Sequence, residues 1–316
     1  MFNPEQKQSF ISQYTQSEST AKVIEGLFNT IAKYEQQWDA DICTRTSDEI
    51  RPVINKIGGL RSKSSETRLT ALREYFSWCV RNNVEGAINS ISVIEHIDLD
   101  KVREQMVSGP GHLRQILDVV FTKIDDQTVE LTYAAYFYLA FCGLKESDAV
   151  KLTHDHFDFG KSVIKLGRVK YPIYPEFKRV LHECATLEKF QYLHPNFAYD
   201  KERVPGSQVL RGFTELDNVE TIRSIVSRKF QKAKRDGRVE SKLSYNRVRL
   251  SGIFYKAYMR ELNGICPDFS EEVSQFMKGR EYSYKDSYTE SRKIAELDKE
   301  FHTDYKRWKE AFGLNL

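Results

Sequence analysis

The sequence predicts a mainly α-helical protein carrying one small antiparallel β-sheet. Three observations lead there. Apolar residues recur at three- and four-residue spacing along most of the 316-residue chain. Several of these segments open on Ser or Thr and close on Gly, the punctuation of helix ends. Residues 154–174 break the pattern with short aromatic and β-branched runs, HFDF, SVIKL and KYPIY, set off by Gly160 and Gly167.

The first predicted helix covers residues 17–37, capped by Ser17 or Ser19, with Val23, Ile24, Leu27, Phe28 and Ile31 on one face. A second starts near Thr46, which has capping-box spacing to Glu49, and stops at Gly58-Gly59. A third runs from about Ser65 to Val80 with Leu69, Leu72, Tyr75, Phe76 and Cys79 aligned. Residues 1–100 therefore read as an N-terminal helical domain. Residues 101–112 read as a linker, because VSGPGH is rich in breakers. The second domain, 113–290, opens with helices at 113–123 and 129–142, the latter apolar on most sides and ended by Gly143. The three-strand sheet follows, with Pro172 confining the last strand to an edge. Helices are expected at 176–190 and 218–234, with a loop around 195–206, and again at 245–262, 270–278 and 283–290. Residues 291–316 form an amphipathic helix with Ile294, Leu297, Phe301, Tyr305, Trp308 and Phe312 in one stripe, which must be buried on its own domain or on a neighbouring protomer.

Composition removes several classes of function. With 40% hydrophobic and 29% charged residues, the chain is an ordinary globular one. The longest mainly apolar stretch, residues 131–144, is too short to cross a bilayer, and the N-terminus lacks the features of a secretory signal. Five scattered cysteines with no C-x-x-C pair argue against a disulfide framework or a zinc site and fit a reducing cytoplasm. His154 and His156 share a face if they lie on a strand, but no third ligand is apparent, so neither metal nor cofactor is expected. A glycine-rich phosphate loop and a G-x-S-x-G turn are both missing.

Net charge is only +3, yet residues 1–100 hold 11 basic and 14 acidic side chains, whereas residues 221–260 hold 12 basic and 2 acidic ones. So basic a segment attracts polyanions. Four local signals accompany it. The first is Phe141-Cys142-Gly143-Leu144-Lys145-Glu146-Ser147-Asp148, where a buried helix ends at a glycine and presents a cation. The second is the sheet with Lys165, Arg168 and Lys170. The third is Ser244-Tyr245-Asn246-Arg247-Val248-Arg249 at the front of a helix. The fourth is Met277-Lys278-Gly279-Arg280 followed by Tyr288-Thr289-Glu290.

In this order and spacing the chain resembles the tyrosine recombinases, the phage integrase family. The resemblance implies a two-domain clamp closing on duplex DNA, with residues 17–82 matching the helical core-binding domain and 113–290 the catalytic domain. It also implies a site in which arginines and a lysine hold the scissile phosphate, histidines move protons and a tyrosine attacks phosphorus. Here the first arginine is replaced by Lys145, and the two histidine positions hold Asn246 and Arg280. Arg249 is kept, as is a tyrosine, Tyr288; the sheet lysine is Lys165 or Lys170. Positive charge survives while proton-transfer groups do not, so catalysis is expected to be lost. The chain is also similar to the lysogeny-maintaining repressors of SPβ-like temperate phages, which implies a transcriptional repressor acting on operator DNA in a bacterial host. The other reading is an active recombinase cleaving through Tyr288. The residues expected to meet DNA are Arg61, Lys63, Arg68 and Arg73 in the first domain. In the second they are Lys145, Lys165, Arg168, Lys170, Lys242, Asn246, Arg247, Arg249 and Arg280. Self-association through the C-terminal helix is a further expectation.

Overall fold

The computed structural model describes residues 1–58, 62–94, 99–121, 127–194, 197–211, 219–278 and 287–314. They fall into two compact units, one made of Met1–Val102 with Phe269–Leu316 and the other of Arg103–Asp268. The architecture is mainly helical with a small three-stranded antiparallel sheet, as the sequence predicts.

The first unit contains α1 (Pro4–Tyr14), α2 (Glu18–Trp38), α3 (Ser47–Ile57) and α4 (Ser62–Arg81). The Ser17 side chain caps α2 by accepting from the Thr20 amide. Glu49 Oε2 accepts from the Thr46 amide at 2.9 Å and from its hydroxyl at 2.8 Å, so the predicted box opens α3. Leu69, Leu72, Tyr75, Phe76 and Cys79 are all buried along α4. The sequence reading missed α1, because Lys7 sits in the buried face where an apolar residue would normally mark it. Its ammonium, with no exposed surface, meets Glu35 Oε1 at 2.7 Å, Asp41 Oδ2 at 3.0 Å and the Phe2 carbonyl at 2.9 Å.

The division between the units falls within α5 (Asp100–Gln105). Residues 107–112, expected as a linker, are packed into the second unit: Val107 is fully buried and its amide donates to Ser251 Oγ at 3.1 Å. There α6 (Pro110–Phe121) and α7 (Gln127–Phe141) are followed by the short α8 (Glu146–Ala149). The sheet comprises β1 (Phe157–Asp158), β2 (Val163–Leu166) and β3 (Val169–Pro172), with Lys165 directly opposite Lys170. His154–His156 form a 3-10 turn rather than a strand, with His156 Nδ1 set against the Thr153 amide and hydroxyl, a local capping arrangement. After α9 (Pro175–Thr186), a second sheet corrects the expected loop: β4 (Lys189–His194) pairs with β5 (Phe197–Glu202) from Lys189↔Glu202 to His194↔Phe197. α10 (Val219–Arg235) and α11 (Tyr245–Leu262) complete the unit. α7 is its centre, touching α6, α8, α9, α11 and β4, with Phe137 and Phe141 essentially unexposed. Burial of each such ring stabilises the fold by ~1.5–3 kcal/mol.

α12 (Ser270–Lys278) and α13 (Ser287–Phe312) return to the first unit. The separate helices expected at 283–290 and 291–316 are replaced by continuous α13, in which residues 287–312 include no Pro or Gly; residues 283–286 lie outside the described set. Its stripe of Leu297, Phe301, Tyr305 and Trp308 is buried within its own chain, α13 packing on α4 and α12.

Candidate nucleic-acid interface

The second unit brings two of the four sequence signals into direct contact. α7 ends at Gly143, whose φ of +102° is a conformation that side-chain-bearing residues avoid. The turn delivers Lys145 to the N-cap of α8, where it is half-buried. α11 crosses the end of α7 so closely that a Cβ on Gly252 would lie 1.8 Å from the Phe141 carbonyl oxygen. That approach lets Arg249 Nε donate to the Gly143 carbonyl at 2.8 Å, while the buried Tyr245 hydroxyl donates to the Leu144 carbonyl at 3.2 Å. Burial pushes the Tyr245 phenol well above its usual range, so it remains a neutral donor.

β3 adjoins the same turn: the Tyr171 ring would lie 3.6 Å from a Cβ on Gly143. Lys165 and Lys170, facing each other across β2 and β3, project from one face of the sheet. Lys165 Nζ is held 2.9 Å from Asp158 Oδ2. Lys170 is exposed and has no ion-pair partner among the described residues. Arg168 is exposed in the turn after Gly167, whose φ is +58°.

At the front of α11, Asn246 and Lys242 are exposed and Arg247 is half-buried. The first turn of α11 carries no acidic residue, so the positive end of the helix dipole is not offset there. Asn246 can donate and accept hydrogen bonds but cannot titrate. At this corner Lys145, Arg249 and Asn246 therefore offer charge and hydrogen bonds to an anion, and Asn246 itself cannot move a proton.

Sequence reasoning missed the polar link behind this corner. The Glu146 carboxylate is bound by Arg223, through Nε at 2.7 Å and a second, shorter bond from NH2, and by the Tyr136 hydroxyl. Burial raises the Glu146 carboxyl, but the bonds from Arg223 and Tyr136 outweigh it and hold the group below its usual value. Glu146 and Arg223 lie 77 positions apart, which is why no local pattern reveals them.

In the first unit the expected DNA-facing cations have internal partners. An Arg68 NH1 donates to the Ile57 carbonyl, and Arg73 NH2 to the Ile94 carbonyl at 2.5 Å. Lys63 pairs with Glu300 at 2.6 Å. Arg61 and Arg280 lie outside the described residues, and Tyr288 is placed only as part of the first turn of α13.

Comparison with known proteins gives a family model for part of the chain. Residues 1–81 match the model described as MrpR, N-terminal core-binding domain. No curated protein matches the chain. Among solved structures, the XerA recombinase is 11% identical, with 93% of this chain and 98% of that one covered and a TM-score of 0.36. The integrase from mycobacterium phage Brujita is 14% identical, covering 97% and 93%, with a TM-score of 0.32. A lambda integrase dimer fragment bound to a COC' core site is 16% identical, covering 89% and 99%, again at 0.32. Among the described residues, no helix is long and apolar enough to cross a membrane.

Proposed function

We infer that the chain is a sequence-specific binder of double-stranded DNA, a transcriptional repressor of phage or prophage type that has kept the tyrosine-recombinase arrangement and lost its chemistry. The observation that carries this reading is the corner where Arg249, held by the Gly143 carbonyl, and Lys145 come from segments over 100 residues apart. Cations survive there, and the position that would transfer a proton holds Asn246. Lys165, Lys170, Arg168, Lys242 and Arg247 add positive charge on the same unit, and the match of residues 1–81 to a core-binding model supports a DNA role for the first. Phosphate contacts of this type position a protein on the duplex, and a minority of side chains read bases.

The test is a binding and cleavage assay on a site selected from genomic fragments, in a suicide-substrate format. Wild type and Tyr288→Phe are expected to bind equally and to leave no covalent product on a denaturing gel. Lys145→Gln removes one charge-assisted phosphate contact of about 1.5–3 kcal/mol, weakening binding roughly 10- to 100-fold. A covalent band with wild type alone would make the protein an active recombinase using Tyr288. Equal affinity for any duplex would replace the repressor with a DNA-bridging protein.

A further inference from the structure

A groove of about 960 Å³ opens between α10 and the first turn of α11, wholly inside the second unit. Lys145 and Arg249 do not line it, whereas Asn246, the third member of the corner described above, does, so the groove adjoins that corner and extends away from it along α10. Five cations do: Arg223, Lys234, Arg235, Lys242 and Arg247. The one carboxylate in its wall, Glu146, is already engaged by Arg223 and Tyr136.

We propose that this groove is a docking site for a short acidic peptide segment of a partner protein. Charge complementarity selects an anionic occupant, because the lining carries five positive side chains against one carboxylate, and with Arg223 paired to Glu146 four cations remain in excess. Form selects a chain-like one. Gln231, Ser227 and Asn246 are exposed along the groove and present both donors and acceptors, which suits a peptide main chain. The rings beneath are closed to stacking: Tyr136, Phe137, Phe230 and Tyr245 are each less than 5% exposed, so bases find no aromatic face there. A duplex is convex and presents its phosphates at the rim, leaving such a groove unfilled. The wall also shows the carboxylate geometry that Arg223 favours, two nitrogens on the two oxygens of Glu146.

The occupant's effect rests on the DNA-binding reading; docking itself does not. Glu146 follows Lys145 directly in sequence. A peptide carboxylate that takes Arg223 removes the main restraint on Glu146 and so perturbs the start of α8, where Lys145 is held. Peptide and DNA affinities are then coupled, each lowering the other by the same factor.

The experiment uses the full chain and a fluorescein-labelled hexapeptide of alternating Glu and Leu, read by anisotropy, with the Lys/Leu peptide as control. The variant is Lys234→Glu with Arg235→Glu; both positions are exposed, and a melting curve establishes that the variant folds. Wild type is expected to bind the acidic peptide and ignore the basic one, with affinity at least 10-fold lower in the variant. Equal binding by wild type and variant, or no binding by wild type, overturns the proposal. So does a fall in duplex affinity that matches the fall in peptide affinity, since the groove would then be a track for DNA phosphates. If the peptide binds and no duplex does, docking stands and the DNA-binding reading fails instead.

Discussion

Single side chains decide stability here by how their charges are satisfied. Lys7 has no exposed surface and holds Glu35 and Asp41, whose oxygens also bind the Ile42 amide and the Tyr75 hydroxyl. Removing the ammonium leaves two buried carboxylates with hydrogen bonds and no counter-charge. Lys7→Met is therefore expected to cost about 3–5 kcal/mol, measured as a lower urea midpoint with unchanged slope. Glu146 gives a pH-dependent counterpart. Its folded pKa lies below its ordinary value of 4.5, so the carboxylate form favours the native state. That contribution is complete above pH 4.5 and is lost as pH falls through the lowered folded value. Glu146→Gln should consequently reduce the stability difference between pH 7 and pH 3, and denaturant unfolding at the two pH values measures it. Neither network is legible in sequence: the partners of Lys7 are 28 and 34 positions away, and a lysine in a helix reads as surface. The bonds of Arg68 and Arg73 to the Ile57 and Ile94 carbonyls are equally invisible in sequence.

At the scale of elements, the contact of α7 with α11 places the candidate site. Its tightest point is Gly252, where an added Cβ meets only backbone atoms, Phe141 O at 1.8 Å, C at 2.6 Å and Cα at 2.9 Å. Backbone cannot step aside as a side chain does, so Gly252→Ala must push the helices apart. The expected outcome is a loss of about 3 kcal/mol or more, together with weaker duplex binding, because Arg249 moves away from the Gly143 carbonyl. Thermal unfolding and anisotropy measure the two effects. Helix ends were legible wherever a local device sets them, as at Ser17, at Thr46 with Glu49 and at Gly143. The three-stranded sheet was legible because Gly160 and Gly167 bracket β-rich runs. The β4–β5 hairpin was not, because residues 189–194 lack a glycine boundary and follow α9 after only two residues. The corner's members were visible as motifs, and their convergence was implied by resemblance alone. The groove was invisible, since it depends on the spacing between α10 and α11.

For the whole molecule, the course of the chain makes the C-terminal helix part of the first unit's structure. Trp308 is fully buried, Phe301 stacks on Phe269 with centroids 5.6 Å apart, and Arg307 donates to Ser65 Oγ on α4 at 2.9 Å. The sequence left two destinations open for this stripe, the domain that precedes it or a neighbouring protomer; it is covered instead by α4 and α12 of the first unit. Deleting residues 291–316 thus removes core from a unit whose other helices are α12, just before it in the chain, and the N-terminal α1–α4. All three tryptophans, Trp38, Trp78 and Trp308, belong to that unit, and the second unit has none. Tryptophan emission therefore reports the first unit alone, whereas far-ultraviolet circular dichroism reports the helices of both. In the truncated chain, the emission of Trp38 and Trp78 should shift to the red already at 25 °C, while a cooperative helical melt from the second unit persists. Were the helix docked mainly on a second copy of the chain, both signals would be retained and only cooperative binding to paired sites would fall. Recording the two melts on one sample, before and after truncation, separates these outcomes.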